Sequence, residues 1–567
     1  MYAGGRKMKV GIISINMYSK GLNFACPLHN YAFQQFLLQN DVDCTVVNYT
    51  PIYYNNFDLR HPYDYYVRLC EEYEKSGKDK TNPEEMKRRT ELRDAWKELY
   101  AERERRYDKF QHFIDTRYIK TEEVYNCHLL EVKDPGFDCY ICCTDVIWKK
   151  EPGFGFDRGF FLAGRAMENK WKISYAASRG VYHCATQEDE DTFFHYVSDI
   201  DAISVREEIL ANYLKEHIDN EVTMVVDPVL LHKKEFYDEI LVEPEEKGYL
   251  FLYYVMERAN DTIVQAVNYA RAHNLKIVEI TDRPVKGGRL QEYDDVEVIY
   301  NYDMGIEEWL GYIKNADCVF TNSFHCICFS VLFEKQIFVG TRNGDKVTHV
   351  LEMFGLSDRR INAKSDIITN PLPEIDYSTV RPILEKKRKE SSEFILNAIH
   401  RMEHETRSER DYDTWKKKQK FKIFYNSGVF PNVTGNLGCN DNGKILDLPS
   451  GSKEYQCNDL HTNDGTSTFA GKVFKRKGDE LQGWKLRFRV GPYWCWYLES
   501  GRLVLKSEYD SKKDGPVKIF KCGEKIPYLP VNQISRVVAD ARWEKNNSVY
   551  WKIKRKVIRK LKRILKK

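Results

Sequence analysis

The spacing of apolar and polar positions divides the chain into stretches of different period. Lys9 to Ile15 (KVGIISI) is a short apolar run ending in small and polar residues, which predicts a buried parallel strand. A loop carrying Gly21 follows, then Leu28 to Leu38 with helical periodicity, then a second strand at Cys44 to Asn48. This β-loop-α-β opening sets a helix N-terminus against strand ends, where a ligand can be held. From about Tyr65 to Val124 the chain is dense in Glu, Lys, Arg and Tyr at helical spacing. That stretch predicts two long exposed helices inserted into the first unit, broken near Thr81-Asn82-Pro83. Strand signals resume at Phe137 to Cys142, Lys172 to Tyr175, Ala202 to Ser204 and Val222 to Val226, the last closed by Asp227-Pro228.

A second alternating unit runs from about Gly248 to Gly355. Its strands are expected at Tyr249 to Val255, Lys276 to Ile280, Val296 to Tyr300, Cys318 to Thr321 and Ile337 to Gly340. Helices are expected at Ile306 to Asn315 and Cys326 to Phe333. The fold class is therefore α/β: two Rossmann-like lobes with a cleft between them, the first over 8–240 with a helical insertion at about 60–125, the second over 241–380. A helical stretch at 381–428, read chiefly from Arg381 to Lys420, is expected to pack back across the lobes. From Asn432 to Pro530 the composition turns to Gly, Asn, Asp, Thr and Trp with short alternating runs, such as Trp484 to Val490, Trp494 to Leu498 and Leu503 to Lys506. This predicts a small separate β domain over 432–535. Its Trp484, Tyr493, Trp494, Trp496 and Tyr497 suit either stacking on sugar rings or filling a small core.

Composition narrows the class. At 567 residues the chain exceeds a single core, and 13% aromatic with 42% hydrophobic residues supports packed domains. Lys+Arg 88 against Asp+Glu 85 gives +3, so no whole-chain field favours nucleic acid. Ten of the basic residues lie in Trp551 to Lys567, leaving −7 on the preceding 550 residues. In that tail (WKIKRKVIRKLKRILKK), Ile553, Val557, Leu561 and Ile564 recur at helical steps among Lys and Arg. A basic amphipathic helix over 545–567 is the composition of an anchor for an anionic membrane surface. No apolar run reaches the roughly 18 residues that span a bilayer, and the first ten residues lack a signal-peptide core. The expectation is a cytoplasmic protein, peripheral at the inner face of the membrane. The 15 cysteines are irregularly spaced, and neither the CxxC at Cys139/Cys142 nor the CxC at Cys326/Cys328 has a second pair at zinc spacing. Buried free thiols are expected, and no metal site.

Four segments at strand ends carry candidate chemistry: Cys143-Thr144-Asp145-Val146-Ile147-Trp148, Ser204-Val205-Arg206-Glu207, Asp227-Pro228 and Thr321-Asn322-Ser323-Phe324-His325. Arg206 is read into the first turn of a helix, where guanidinium and amides can hold an anion; a surface pair with Glu207 or Glu208 is the competing reading. His325 follows Asn322 and Ser323 on a strand-to-helix turn, and either acts there or simply packs. The loop from Asn16 to Asn30 retains Gly21 but lacks GxGxxG, so dinucleotide binding is not expected.

In this order the segments resemble the polysaccharide pyruvyl transferase family: KVGIISINMYSKG, FDCYICCTDVIW, KISYAASRG, SVREE, DPVLL and TNSFHCICFSVLFEKQIFV, over roughly residues 8–360. The resemblance implies a GT-B-like arrangement of the lobes. It also implies transfer of a pyruvyl group from phosphoenolpyruvate to two sugar hydroxyls as a cyclic ketal. The Arg of the family's S-V-R-E motif falls on Arg206. Where the family often reads T-D-R-L-H, this chain keeps His325 but has Asn322 and Ser323 at the Asp and Arg positions and Phe324 between. The lost cation is a contact to the donor anion, which Arg342 or Lys346, on the loop after the next strand, is placed to replace. Phosphoenolpyruvate protonated at its methylene becomes cationic at its second carbon, so the site needs positive charge for carboxylate and phosphate and a base and acid near neutrality. Arg206 and Lys346 suit the first task and His325 the second, with phosphoenolpyruvate as donor substrate and no cofactor or metal. Asp145 either binds the acceptor sugar or holds its loop through backbone amides. The acceptor implied is a glycan or lipid-linked sugar of cell-surface polysaccharide synthesis. Two rival functions remain: a GT-B glycosyltransferase using a nucleotide sugar, and a degenerate homologue acting as a glycan-binding or scaffold protein.

Overall fold

The computed structural model describes residues 7–407, apart from 17–21, 52–57, 78, 128, 152–154, 181–186, 256–259, 286–287, 341–345 and 363, together with parts of a β-sheet between 423 and 520. Gly21, Arg342 and the basic tail at 545–567 lie outside the described residues.

The first lobe is a parallel sheet of six strands: β1 (Val10–Ile13), β2 (Cys44–Val46), β3 (Cys139–Asp145), β4 (Trp171–Ala177), β5 (Ala202–Val205) and β6 (Val222–Met224), in the order β2-β1-β3-β4-β5-β6. Val10 pairs with both Cys44 and Cys139, so β1 is central and its VGII run is buried on both faces. Gly11 is needed there: a Cβ would lie 2.5 Å from the Phe137 ring. The second lobe repeats the plan with β7 (Tyr249–Tyr254), β8 (Lys276–Thr281), β9 (Val298–Tyr300), β10 (Cys318–Thr321), β11 (Gln336–Gly340) and β12 (Arg360–Ile361), ordered β9-β8-β7-β10-β11-β12. Both orders reverse direction next to the first strand of the lobe, which opens a crevice at the strand C-termini where β1 meets β3 and β7 meets β10. The two-lobed α/β arrangement expected from the sequence is present.

Helices position the crevice. α1 (Ala25–Gln39) follows β1 and is almost wholly buried. The insertion holds three helices rather than two: α2 (Tyr63–Lys75), α3 (Pro83–Glu98) and α4 (Tyr100–Arg117). The expected break at Asn82-Pro83 is there, with Asn82 accepting the Glu85 amide as N-cap and Pro83 opening the helix. A second break falls at Leu99, which periodicity did not mark. Nor is the insertion exposed throughout, since Arg103, Arg106, Phe110 and Phe113 of α4 are buried. Beyond it lie α5 (Glu208–Lys215), α6 (Ile306–Asn315), α7 (Phe324–Leu332), α8 (Lys346–Met353) and α9 (Tyr377–His404). α9 packs back on the first lobe: Arg388 donates to the carbonyls of Leu230 and His232, and the Ser391 hydroxyl accepts the Val226 amide. It begins before Arg381 because Asp376 caps it by accepting the Ser378 amide.

The lobes share a core. Phe24 at the start of α1 stacks on Trp309 of α6 with ring centres 5.3 Å apart and 5° between planes. The C-terminal strands Trp484–Val490, Tyr493–Tyr497 and Leu503–Leu505 pair antiparallel, close to the expected runs. The side chains of Trp484, Tyr493, Trp494 and Tyr497 lie outside the described residues. Cys139, Cys142, Cys143, Cys326 and Cys328 are buried free thiols, as expected. Among the described residues no helix is long and apolar enough to cross a membrane.

Candidate functional site

Four of the segments singled out by sequence meet where the two lobes face each other. β3 ends at Thr144 and Asp145, both in the left-handed region at φ 42° and 60°, a conformation costly for a β-branched threonine. Neighbours hold the turn: the Asp145 carbonyl accepts the amides of Ile147 (2.7 Å) and Ser178 (2.9 Å). The turn aims the Thr144 hydroxyl at Asp227, 3.0 Å away.

Asp227 is the hub. Its Oδ2 accepts from Arg206 (2.8 Å), Thr144 (3.0 Å) and His325 Nε2 (3.2 Å), and its Oδ1 from the Val229 amide (3.2 Å). Burial pushes its carboxyl up, but His325 and Arg206 outweigh that and hold it well below the usual carboxylate range. An ionised Asp227 only accepts, so His325 carries its proton on Nε2. His325 itself belongs to the second lobe, in the first turn of α7, so this contact spans the cleft.

Arg206 lies one residue before Glu207, the N-cap of α5, rather than inside the helix. It is buried, not on the surface. Its guanidinium reaches Glu207 (3.3 Å), Asp227 (2.8 Å) and Asp145 (3.4 Å) and lies over the Phe324 ring, 4.2 Å from its centre. Burial opposes its charge, but Glu207, Asp227 and Asp145 keep it firmly protonated. Asp145 turns its carboxylate to cations, Arg206 and Lys346 (3.6 Å), and among the described residues to no backbone amide. Burial pushes Asp145 up, and Lys346 followed by Arg206 brings it well below the usual range. Lys346 opens α8 with its side chain 22% exposed, against 2% for Arg206, so of these two it is the cation open to solvent.

The structure therefore brings together Arg206, His325, Asp145, Lys346 and Phe324. Asn322 and Ser323 point elsewhere. Asn322 bonds both the amide and the carbonyl of Val255, tying the ends of β7 and β10 together. Ser323 is the N-cap of α7, its hydroxyl accepting the Cys326 amide. Gly21 and Arg342 are outside the described residues. Sequence reasoning missed the side-chain roles of Asp227, Thr144 and His29; it named Glu207 as a surface partner of Arg206, and that pair is present but buried. D-P after a strand flagged the position of Asp227 without its partners. His29, buried in α1 with its ring centre 5.8 Å from that of His325, showed only as a polar residue in an apolar helix.

The family model described as polysaccharide pyruvyl transferase matches residues 28–339, more than half of the chain and every residue of the cluster except Lys346. The chain belongs to the polysaccharide pyruvyl transferase family. No curated protein sequence matches it. Among solved structures, UDP-N-acetylglucosamine 2-epimerase from Rickettsia bellii is similar at 13% identity and TM-score 0.39, covering 70% of this chain and 98% of that one. The UDP-GlcNAc 2-epimerase from Neisseria meningitidis, bound to UDP-GlcNAc, is similar at 9% identity and TM-score 0.38, covering 70% and 100%. An O-GlcNAc transferase mutant from Thermobaculum terrenum is similar at 11% identity and TM-score 0.37, covering 70% and 68%. In this pyruvyl transferase family member the fold assignment rests on its own sheet orders.

Proposed function

We propose that this protein transfers a pyruvyl group from phosphoenolpyruvate to two hydroxyls of a glycan or lipid-linked sugar, forming a cyclic ketal and releasing phosphate. The observation that carries this reading is the His325–Asp227 pair spanning the cleft, in a chain of this family. Asp227 fixes the His325 ring through Nε2–H, which leaves Nδ1 to take up and return a proton. The donor's methylene gains a proton and its second carbon becomes electrophilic. One sugar oxygen bonds to that carbon as its O–H proton passes to His325. The C–O bond to phosphate breaks, the phosphate leaves with a proton, and the second hydroxyl closes the ring. One hydroxyl proton is thus balanced by the new methyl group and the other by phosphate.

Lys346 is the cation for the donor's phosphate or carboxylate, replacing the charge missing at Ser323. Arg206, with its donors on Glu207, Asp227 and Asp145, holds the acids in register, and its distant Asp145 contact (3.4 Å) can be exchanged for substrate. Asp145 and Phe324 line the approach. The acceptor is a precursor of a cell-surface glycan, met at the cytoplasmic membrane face through the basic tail.

The test is phosphate release from phosphoenolpyruvate with a panel of aryl and lipid-linked glycosides, with mass analysis of products. Release coupled to a pyruvyl mass gain, and lost by about 100-fold or more in His325→Ala and Arg206→Ala, is expected. Protection against heat by a nucleotide sugar but not by phosphoenolpyruvate would overturn the reading in favour of glycosyl transfer.

A further inference from the structure

The C-terminal sheet is described by its backbone pairing: β13 (Glu454–Asn458), β14 (Phe469–Lys475), β15 (Trp484–Val490), β16 (Tyr493–Tyr497) and β17 (Leu503–Leu505), antiparallel and adjacent in that order. Successive residues of a strand alternate between the faces of a sheet, and residues directly opposite across a pair share a face. Leu486, Phe488 and Val490 therefore share one face with Val473, Cys495 and Leu505. This is the apolar face that a small core requires. Lys485, Arg487 and Arg489 lie on the other face, with Lys472 of β14 opposite Arg487. In β16, Trp496 is the register partner of Arg487 and Trp494 that of Arg489. Glu454, opposite Phe474, is the one acid of these five strands. Trp496 and its β17 partner Val504 are partly exposed, so the basic face is not a sealed core. The register thus divides the aromatic residues: Trp484, Tyr493 and Tyr497 belong to the apolar face, Trp494 and Trp496 to the basic one.

We propose that the register pairs Arg487–Trp496 and Arg489–Trp494, flanked by Lys472 and Lys485, form a second binding site, separate from the cluster at Asp227, for a glycan whose sugars carry pyruvyl ketals. An indole takes the apolar C–H face of a pyranose, and a guanidinium takes a carboxylate through two parallel N–H donors. A pyruvyl ketal is built on two hydroxyls of one sugar, so ring and carboxylate belong to the same unit of the glycan. Opposite positions on adjacent strands have Cβ atoms about 5 Å apart, which lets one modified sugar meet a tryptophan and an arginine together. Charge complementarity selects an acidic occupant, since four basic residues against one acid gain nothing from uncharged sugars. The same residue types also hold single-stranded nucleic acid, and membership of a polysaccharide-modifying family favours the glycan. The choice of the ketal as the source of charge rests on the pyruvyl-transfer reading, whereas binding of a carboxylated glycan follows from the face itself. Such a site keeps the enzyme on a chain it has already modified.

The experiment is affinity electrophoresis of the full chain, at about 0.15 M salt, against four polymers: xanthan, the same xanthan stripped of its ketals by mild acid but keeping its uronates, neutral dextran, and a single-stranded DNA. Xanthan is expected to bind, the stripped polymer about 10-fold more weakly, and dextran not at all. The double variant Arg487→Gln/Arg489→Gln, which keeps long polar side chains and an unchanged melting midpoint, weakens xanthan binding by about 10-fold or more. Trp494→Ala/Trp496→Ala does the same, and should it not fold, the arginine variant decides alone. Lys475→Gln, on the apolar face, changes the affinity by less than about 2-fold. Every variant keeps the ten basic residues of 551–567, so their contribution cancels. Xanthan binding unmoved by the arginine variant, or weakened as much by Lys475→Gln, removes the site. Equal binding of native and stripped xanthan overturns the ketal as ligand. DNA binding tighter than xanthan binding, and lost in the same variants, overturns the glycan. Selective binding of native xanthan by a protein that releases no phosphate from phosphoenolpyruvate sinks pyruvyl transfer and leaves the site standing. Phosphate release without xanthan binding sinks the site alone.

Discussion

At the scale of single residues, the site is organised by one carboxylate. Asp227 satisfies Arg206, Thr144 and His325 at once, so Asp227→Asn leaves a buried guanidinium short of an acceptor and His325 without its orienting charge. Such a change should lower phosphate release by about 10²–10⁴-fold and cost about 3 kcal/mol in chemical unfolding. His232 tests the other consequence of burial. It donates to the Ala32 carbonyl at 2.8 Å, and burial pulls its imidazole down to about 4. The unfolded chain then binds a proton below about pH 6.5 that the folded state refuses until about 4. Stability should fall as pH drops through that window, by about 3 kcal/mol from this residue. In His232→Gln, which keeps a donor and does not titrate, the unfolding free energy measured from pH 7 to 4 should lose that much of its slope.

The element that most changes the picture is α4. Its Arg106 is fully buried and donates to the carbonyls of Thr281 (2.9 Å) and Tyr302 (3.3 Å) in the second lobe and Leu22 (3.0 Å) in the first. The same guanidinium lies 4.4 Å from the centre of the Phe24 ring, at the stacked pair that joins the lobes. Arg105 to Asp303, Lys109 to Glu308 and Arg117 to Glu307 add ion pairs along the helix, each partly exposed and worth no more than about 1 kcal/mol. The insertion is thus a clasp across the cleft. Arg106→Leu should destabilise by about 3 kcal/mol, because three buried carbonyls lose a donor. Arg106→Lys should recover less than half, since a point charge cannot serve three carbonyls in a fork. Denaturant midpoints for the three proteins decide it; equal stability of wild type and Arg106→Leu would remove the clasp.

At the scale of the whole molecule, the proposed pyruvyl transfer and the proposed membrane contact belong to different parts of the chain. Deleting residues 551–567 removes ten basic residues. At about 1 kcal/mol per basic group near an anionic surface, co-sedimentation with phosphatidylserine vesicles should be lost, while phosphate release with a soluble acceptor persists. Binding of the full chain should weaken as salt rises, and vesicle binding unchanged by the deletion would refute the anchor.

The lobes were legible in the sequence because a buried parallel strand must be a short continuous apolar run, as KVGIISI and YLFLYY are. The ordered segments located Arg206, His325 and Asp145 because those residues sit at strand ends, where a chain of this kind leaves its core. What the sequence could not show is which groups neutralise one another. Nothing local marks Arg206 as surrounded by three carboxylates, because Asp145 ends another strand and Asp227 caps the turn after a third. The burial of α4 was equally hidden: its Glu, Lys and Arg read as a solvated face, yet Arg103 and Arg106 are covered by lobes distant in sequence. Asn322 and Ser323 look like chemistry in a motif, but in space they close a strand end and cap a helix. Local spacing decided the elements and their order, because periodicity is set by each residue's near neighbours. Charge pairing, tautomers and the clasp across the cleft were decided only by tertiary structure, because they depend on the dielectric and partners that distant segments supply.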